Sequence, residues 1–468
     1  MQPSHGLMMN SLSNSLAAAD IAHSLHPYTN ARAHERNGPL IITRGQGVHV
    51  YDSEGREYIE GLAGLWSVAV GFSEPRLAEA AARQMAELPY YHTFAGKAHE
   101  PQIRLAEKLV EMTPEALTRV FFTNSGSEAN DTVVKLVWFM NNALGRPQKK
   151  KFLSRIKGYH GITIASGSLT GLPVNHKGFD LPAIPVVHLG CPHHWRFGAE
   201  GESEADFCAR LLREAEETIL AEGPETVAAF IGEPVMGAGG VIVPPDGYWS
   251  GIEALCRKYD ILLVSDEVIN GFGRTGARWG CEKFGFTPDI LVTSKQLTSS
   301  YMPLAAVLMT DKVYQTIADH TETLGTLGHG FTGSGHPVAT AVGLENLTVI
   351  EERDLMGNAA RLERPFQDGL RAFRDNPLVG EVRGTGLIAA IEMVADRATK
   401  RGFEPPGKVG ARAAAFAAEE GLLCRALGDT LALCPPLIVT EADVGRILER
   451  MGRALDRTAD WARAEGLI

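Results

Sequence analysis

Between residues 118 and 309, short apolar runs alternate with longer stretches of helical period. The runs are TRVFFTN (118–124), KFLSRI (151–156), VAAFIGEP (227–234), ILLVSD (261–266), DILVTS (289–294) and PLAAVLM (303–309). They are too continuously apolar to have one solvated face, so they read as strands buried on both sides. Between them, EANDTVVKLVWFMNNAL (128–144) and YWSGIEALCRKY (248–259) place apolar residues three and four apart, as helices do. This alternation predicts a mostly parallel sheet covered by helices, an α/β architecture.

Upstream, residues 47–60 alternate around Ser53-Glu54-Gly55 and predict a hairpin, and residues 74–88 predict a helix with Pro75 near its start. After GSGHP (333–337) the texture changes. Residues 337–375 read as mostly helical, 380–394 as strands and 408–421 as a helix. Short strands around Leu423 and Leu431 and a helix over 441–465 complete a smaller α+β unit. The expected organisation is an N-terminal segment, 1–65, packing with the small unit; a large domain, 66–335; and a small C-terminal domain, 336–468.

Composition narrows the function. With 468 residues and a net charge of −11, the chain is acidic, which argues against a nucleic-acid or anionic-membrane surface. No run of eighteen apolar residues occurs, so no membrane span is expected. Six cysteines without a CxxC pair read as reduced thiols of a cytoplasmic protein. Residues 1–20 lack a basic stretch and a long apolar stretch and read as a loosely ordered leader.

Three places could carry chemistry. Ser125-Gly126-Ser127 joins a strand to a helix, where free N–H groups and the positive dipole end suit a phosphate; the same residues also make an ordinary helix cap. Asp266 ends a strand that looks buried on both faces, and a carboxylate there needs a cation or a structural hydrogen-bond role. Lys295 sits between two apolar runs at the end of the next strand. Alone it reads as a lysine snorkelling to solvent; desolvated, it would be an amine nucleophile. Together, a phosphate cradle, a buried acid and a buried lysine on successive strand ends meet the needs of pyridoxal 5′-phosphate (PLP). CPHHWRFG (191–198) lacks a second cluster at zinc spacing and reads as a loop, so no metal is expected.

The chain resembles the class III (omega) aminotransferases of PLP fold type I, in the amine:pyruvate branch. Ten motifs in the family's order carry the resemblance: HPYT, GLAGLWSVAVG, LPYYHTF, NSGSEAND, GYHG, GEPVMGAGGVIVPP, SDEVINGFGRTG, TSKQLTSSYMPLAAV, HGFTGSGHP and CRALGDTLALCPPLIVT. The resemblance implies that Lys295 carries the cofactor as a Schiff base and moves a proton, and that Asp266 pairs with the pyridinium nitrogen. It places Ser125, Gly126 and Ser127 on the phosphate, and Tyr159 and Val268 on the two ring faces. His160 follows Tyr159 as a packing or hydrogen-bonding residue, and Glu233 lies beside the 3′-oxygen. Thr332 would reach the phosphate of a neighbouring subunit, so a homodimer with shared sites, or a tetramer of such dimers, is expected. Tyr28, Trp66, Phe94, Ala95 and Arg425 match substrate-pocket positions, with Arg425 clamping a carboxylate. Ala95 and Gly333 stand where relatives carry bulkier side chains, which suggests a roomier pocket.

The implied activity passes an amino group from a primary amine or omega-amino acid to a keto acid, pyruvate foremost, by a ping-pong route. The alternatives are an omega-amino-acid enzyme for β-alanine, 4-aminobutyrate or a diamine with another acceptor, and a relative running a mutase or decarboxylating reaction. A cofactor-binding regulator would need a basic helix-turn-helix, which the first sixty residues do not supply.

Overall fold

The computed structural model describes residues 15–468. Most of the segment expected to be a loose leader, residues 1–14, lies outside the described residues. Its last part is helical: Leu16–His23 forms a helix whose Ala18 N–H donates to the Ser15 side chain.

The central sheet has seven strands. In spatial order they are Leu117–Thr123, Ala305–Thr310, Ile290–Thr293, Leu262–Asp266, Val227–Gly232, Lys151–Arg155 and Val186–Leu189. The last five run parallel, while Ala305–Thr310 is antiparallel to both neighbours. Every residue of Val227–Gly232, Leu262–Asp266 and Ile290–Thr293 is buried, as expected for strands covered on both faces. The sequence reading missed Val186–Leu189. It is an edge strand, mostly half-buried, and its VVHL pattern is too short to stand out.

A second sheet is antiparallel throughout: Val379–Thr385, Ile388–Met393, Thr430–Leu433 and Arg425–Leu427. A third contains Ile42–Gln46, the hairpin His49–Asp52 and Glu57–Glu60, and Leu422–Leu423. The last strand pairs in parallel with Glu57–Glu60, so an early segment is hydrogen-bonded to a late one. The strand Ile42–Gln46 was not legible in the sequence: four of its five residues are exposed and none is fully buried.

Three features of this frame position the site. Asp266 is the last residue of its strand and pairs with Val292 on the next, three residues before Lys295. The two parallel strands therefore deliver the acid and the amine side by side at their carboxyl ends. The helix Gly126–Ala143 starts beyond the end of Leu117–Thr123.

Candidate active site

Lys295 opens a single 3₁₀ turn, Lys295–Leu297, in the left-handed region at φ 44°. For a non-glycine residue that conformation costs about 1–2 kcal/mol, so the surroundings must hold it. They do. The amide N–H groups of Thr298 and Ser300 donate to the Lys295 carbonyl. The Gln296 side chain donates to the carbonyls of Ile269 and Gly271 and accepts from Arg274. Ser299 accepts from the N–H groups of Ala69 and Val70 and donates to Asn346. The hydroxyl-rich stretch after Lys295 thus fastens the turn to the Gly61–Gly71 segment and to the helix Pro337–Glu352.

The Lys295 side chain is half-buried on the cavity wall, and desolvation there pulls its pKa down to about 8. Asp266 and Glu233 act the other way, and Arg425 reinforces the fall. Asp266 is 3% exposed. Its Oδ2 accepts from Asn130 Nδ2 at 2.9 Å and lies 2.8 Å from His160 Nδ1, and its Oδ1 accepts from the Val268 N–H at 3.2 Å. With Nδ1 donating to the carboxylate, the imidazole leaves Nε2 as a buried atom without a partner among the described residues. His160 is therefore a hydrogen-bonding residue.

Glu233 is also buried. It accepts from the Tyr159 N–H and the Gly237 N–H, and burial raises its pKa. The Tyr159 hydroxyl is shifted upward by burial and by Tyr28 beside it.

The helix-cap reading of Ser125-Gly126-Ser127 is seen directly. Ser125 Oγ accepts from the Glu128 N–H, and Glu128 reaches back to the Asn124 N–H, so this is a helix cap. The cap leaves the N–H groups of Gly126 and Ser127 in the first turn, on the wall of the same cavity as Lys295 and Asp266. A Cβ on Gly126 would sit 3.4 Å from Val268, so a side chain there would narrow the gap between cradle and ring site.

The cavity holds about 500 Å³, within the usual range for small-molecule sites. It gathers twelve of the fifteen residues picked from the sequence: Tyr28, Trp66, Ser125, Gly126, Ser127, Tyr159, His160, Glu233, Asp266, Val268, Lys295 and Arg425. Phe94, Ala95 and Thr332 are not on its wall. All three are exposed, and Tyr90 donates to the Thr332 carbonyl. Phe94 lies against Gly330, where an added Cβ would meet its ring at 2.8 Å, so the LPYYHTF and HGFTG segments pack together.

The sequence reading overlooked Asn130 and Asn175. Asn130 was within reach, being one helical turn from Gly126 and so on the same face. Asn175, which donates to the Tyr28 hydroxyl, had no local signal.

Arg425 lines the cavity without a carboxylate partner among the described residues, and burial lowers its pKa. The loop 191–198 contains a helical turn, His194–Phe197. Its His193 meets Glu381 and Glu392. Arg383 donates to both carboxylates at 2.6 Å and so supplies the cation that a metal would otherwise provide.

The donor set fits a phosphorylated pyridine aldehyde: an amine for the aldehyde, a carboxylate for the ring nitrogen and helix N–H groups for the phosphate. Comparison with known proteins agrees. A model of the family "Aminotransferase class-III" matches residues 30–455. The chain belongs to the class III aminotransferases. Enzymes of this family depend on PLP, and this one is a PLP-dependent aminotransferase. It is 61% identical to an omega transaminase from Pseudomonas jessenii in complex with PMP, with a TM-score of 0.95 over 96% of this chain and 99% of that one. It is 48% identical over 435 residues to gamma aminobutyrate transaminase 1, mitochondrial, of Solanum lycopersicum, covering 93% of this chain and 84% of the relative. It is 46% identical over 452 residues to a diaminobutyrate–2-oxoglutarate transaminase of Halomonas elongata, covering 95% of this chain and 96% of the relative. The aminotransferase has the fold type I architecture, with a large sheet, covering helices and a smaller domain.

Proposed function

We propose that this aminotransferase takes the amino group of a primary amine or omega-amino acid and passes it to a keto acid, pyruvate foremost, releasing alanine. The observation that carries this reading is Arg425, a guanidinium on the cavity wall with no carboxylate among the described residues to neutralise it. A substrate carboxylate would supply the missing anion through a bidentate pair. The neighbouring wall of Tyr28, Leu65 and Trp66 offers apolar surface for an amine without a carboxylate. One site serving both substrates in turn gives ping-pong kinetics.

Bound PLP supplies an aldehyde carbon for the amine and a protonated ring that accepts the electron pair freed when the substrate Cα loses its proton. Lys295 would hold the cofactor's aldehyde carbon, and its freed amine would take and pass on the proton from the substrate Cα. Asp266, oriented by Asn130, His160 and the Val268 N–H, keeps the ring nitrogen protonated. Gly126 and Ser127 would hold the phosphate, with Ser125 capping the helix behind them. Tyr159 and Val268 would flank the ring, and Glu233 fixes the Tyr159 backbone.

Phe94, Ala95 and Thr332 act in the cavity of a second copy. Their exposure, outside the cavity of their own chain, supports a homodimer with shared sites, or a tetramer built from it. Among the described residues no helix is long and apolar enough to cross a membrane. All six cysteines are free, which supports a reducing, cytoplasmic setting.

The relatives named for gamma-aminobutyrate and diaminobutyrate favour a second reading, an omega-amino-acid donor with a different acceptor. The deciding experiment is a donor panel of arylalkylamines, β-alanine, 4-aminobutyrate and a diamine, each run against pyruvate and 2-oxoglutarate. Alanine formed in step with ketone from an apolar amine supports the first reading. Turnover confined to 4-aminobutyrate or a diamine with 2-oxoglutarate replaces it with the second.

A further inference from the structure

Outside the cavity, a second convergence of ligand-type side chains lies in the N-terminal strap. Asp20 is in the last part of the helix Leu16–His23, His26 follows that helix, and His34 lies on the helix Ala31–Asn37. Both imidazoles turn the same atom, Nε2, to one carboxylate. His26 Nε2 is 2.9 Å from each oxygen of Asp20, and His34 Nε2 is 2.8 Å from Oδ2. The rings lie 4.3 Å apart at 35°, and the three ligand atoms are all within 4.8 Å of one another.

A four-coordinate ion with bonds of about 2.0–2.1 Å sets its ligand atoms roughly 3.3–3.4 Å apart. The two imidazole–carboxylate spacings need open by only about half an ångström to admit one, and the two imidazole nitrogens already lie within 4.8 Å of each other. The Asp20 and His26 side chains are 25% and 34% exposed, which leaves an open side for water as a further ligand. Among the described residues no arginine or lysine is paired with this cluster, unlike His193, Glu381 and Glu392, where Arg383 donates to both carboxylates. Two imidazoles and a carboxylate select a borderline transition cation over calcium or magnesium.

The three residues bracket Tyr28, which has a left-handed backbone at φ 50°, accepts from Asn175 and lines the cavity. We propose that Asp20, His26 and His34 bind one divalent transition cation of the zinc class, which ties both ends of the strap and fixes Tyr28 on the cavity wall. Binding stands on the cluster alone; the coupling to substrate rests on the reading of Tyr28 as a substrate contact.

The test uses metal-stripped holoenzyme titrated calorimetrically with zinc chloride. Wild type is expected to bind one equivalent per chain, with affinity at least tenfold weaker in Asp20→Ala, His26→Ala and His34→Ala. His34→Gln keeps a donor for Asp20 while removing the imidazole, so it separates lost coordination from lost folding. X-ray absorption at the zinc edge should report two imidazole nitrogens in wild type and one in His34→Gln. Equal stoichiometry and affinity in wild type and variants, or no binding at all, overturns the site. Zinc should also change KM for a bulky amine with kcat nearly constant, in wild type and not in His34→Gln. Binding at the site with KM unmoved overturns the coupling and leaves the transaminase activity, scored as alanine, as a separate result.

Discussion

His160 Nδ1 lies 2.8 Å from Asp266 Oδ2, and both side chains are buried. Together with Asn130, this contact fixes the direction in which the carboxylate faces the cavity. Hydrogen bonds to a charged group contribute about 1.5–3 kcal/mol each, or roughly ten- to a hundredfold in an equilibrium constant. His160→Phe and Asn130→Ala should each weaken PLP binding by that factor, measured by fluorescence titration of the apoenzyme. His160→Gln, which keeps a donor, should lose less. Unchanged affinity in all three would show that Asp266 needs no orientation.

Lys295→Ala should abolish turnover and remove the visible absorption of a lysine Schiff base from the purified protein. An unchanged rate would end the proposed mechanism.

The depressed Lys295 pKa, about 8, gives a pH signature in the apoenzyme. At pH 7 such an amine is about 10% neutral, against about 0.03% at an ordinary lysine pKa. Capture of PLP should therefore accelerate with rising pH through about 8. A midpoint above 10 would mean that the lysine is solvated. For stability the sign is also defined. The unfolded chain binds the extra proton between the two pKa values, so this lysine's penalty is full below pH 8 and fades as pH rises toward the unfolded value.

Arg425→Leu should raise KM for pyruvate by about ten- to a hundredfold, the worth of a lost charge-assisted pair. The half-reaction with an apolar amine, followed by the absorbance change of the cofactor, should be nearly unaffected. Equal damage to both halves would assign Arg425 a structural role.

Gly333 was expected to leave room for bulky amines. The structure adds a second consequence: a Cβ there would lie 2.6 Å from Asn124 Oδ1, and Asn124 also donates to Glu128 at the start of the cradle helix. Gly333→Tyr should lower turnover of bulky relative to small amines and also weaken PLP binding. No relative loss with bulky amines rejects the roomy-pocket reading.

Glu60 is buried with backbone N–H partners only, and burial raises its pKa to about 7. A carboxyl whose folded pKa is raised contributes stability that is full below its unfolded value and lost as pH rises through 7. Glu60→Gln should therefore raise Tm relative to wild type at pH 8 and leave it nearly unchanged at pH 5.

Much of this molecule was legible in the chain because its signals are local. Continuous apolar runs required buried strands, and helical periods and caps placed the helices between them. Ten ordered motifs carried the family, and with it Lys295, Asp266 and the Ser125–Ser127 turn. What stayed hidden depends on partners distant in sequence. The strand Ile42–Gln46 is stabilised by its neighbour more than by its own pattern. Asn175 matters only because Tyr28 comes to it, and Phe94, Ala95 and Thr332 fall outside the cavity of their own chain. The sequence determined which residues could do chemistry, since side-chain type and helix or strand period are properties of short segments. Only the tertiary structure decided their state. Burial sets the Lys295 pKa, and two adjacent parallel strand ends place its amine beside Asp266. Hydrogen bonds of Gln296 and Ser299 with segments distant in sequence hold the strained turn in place.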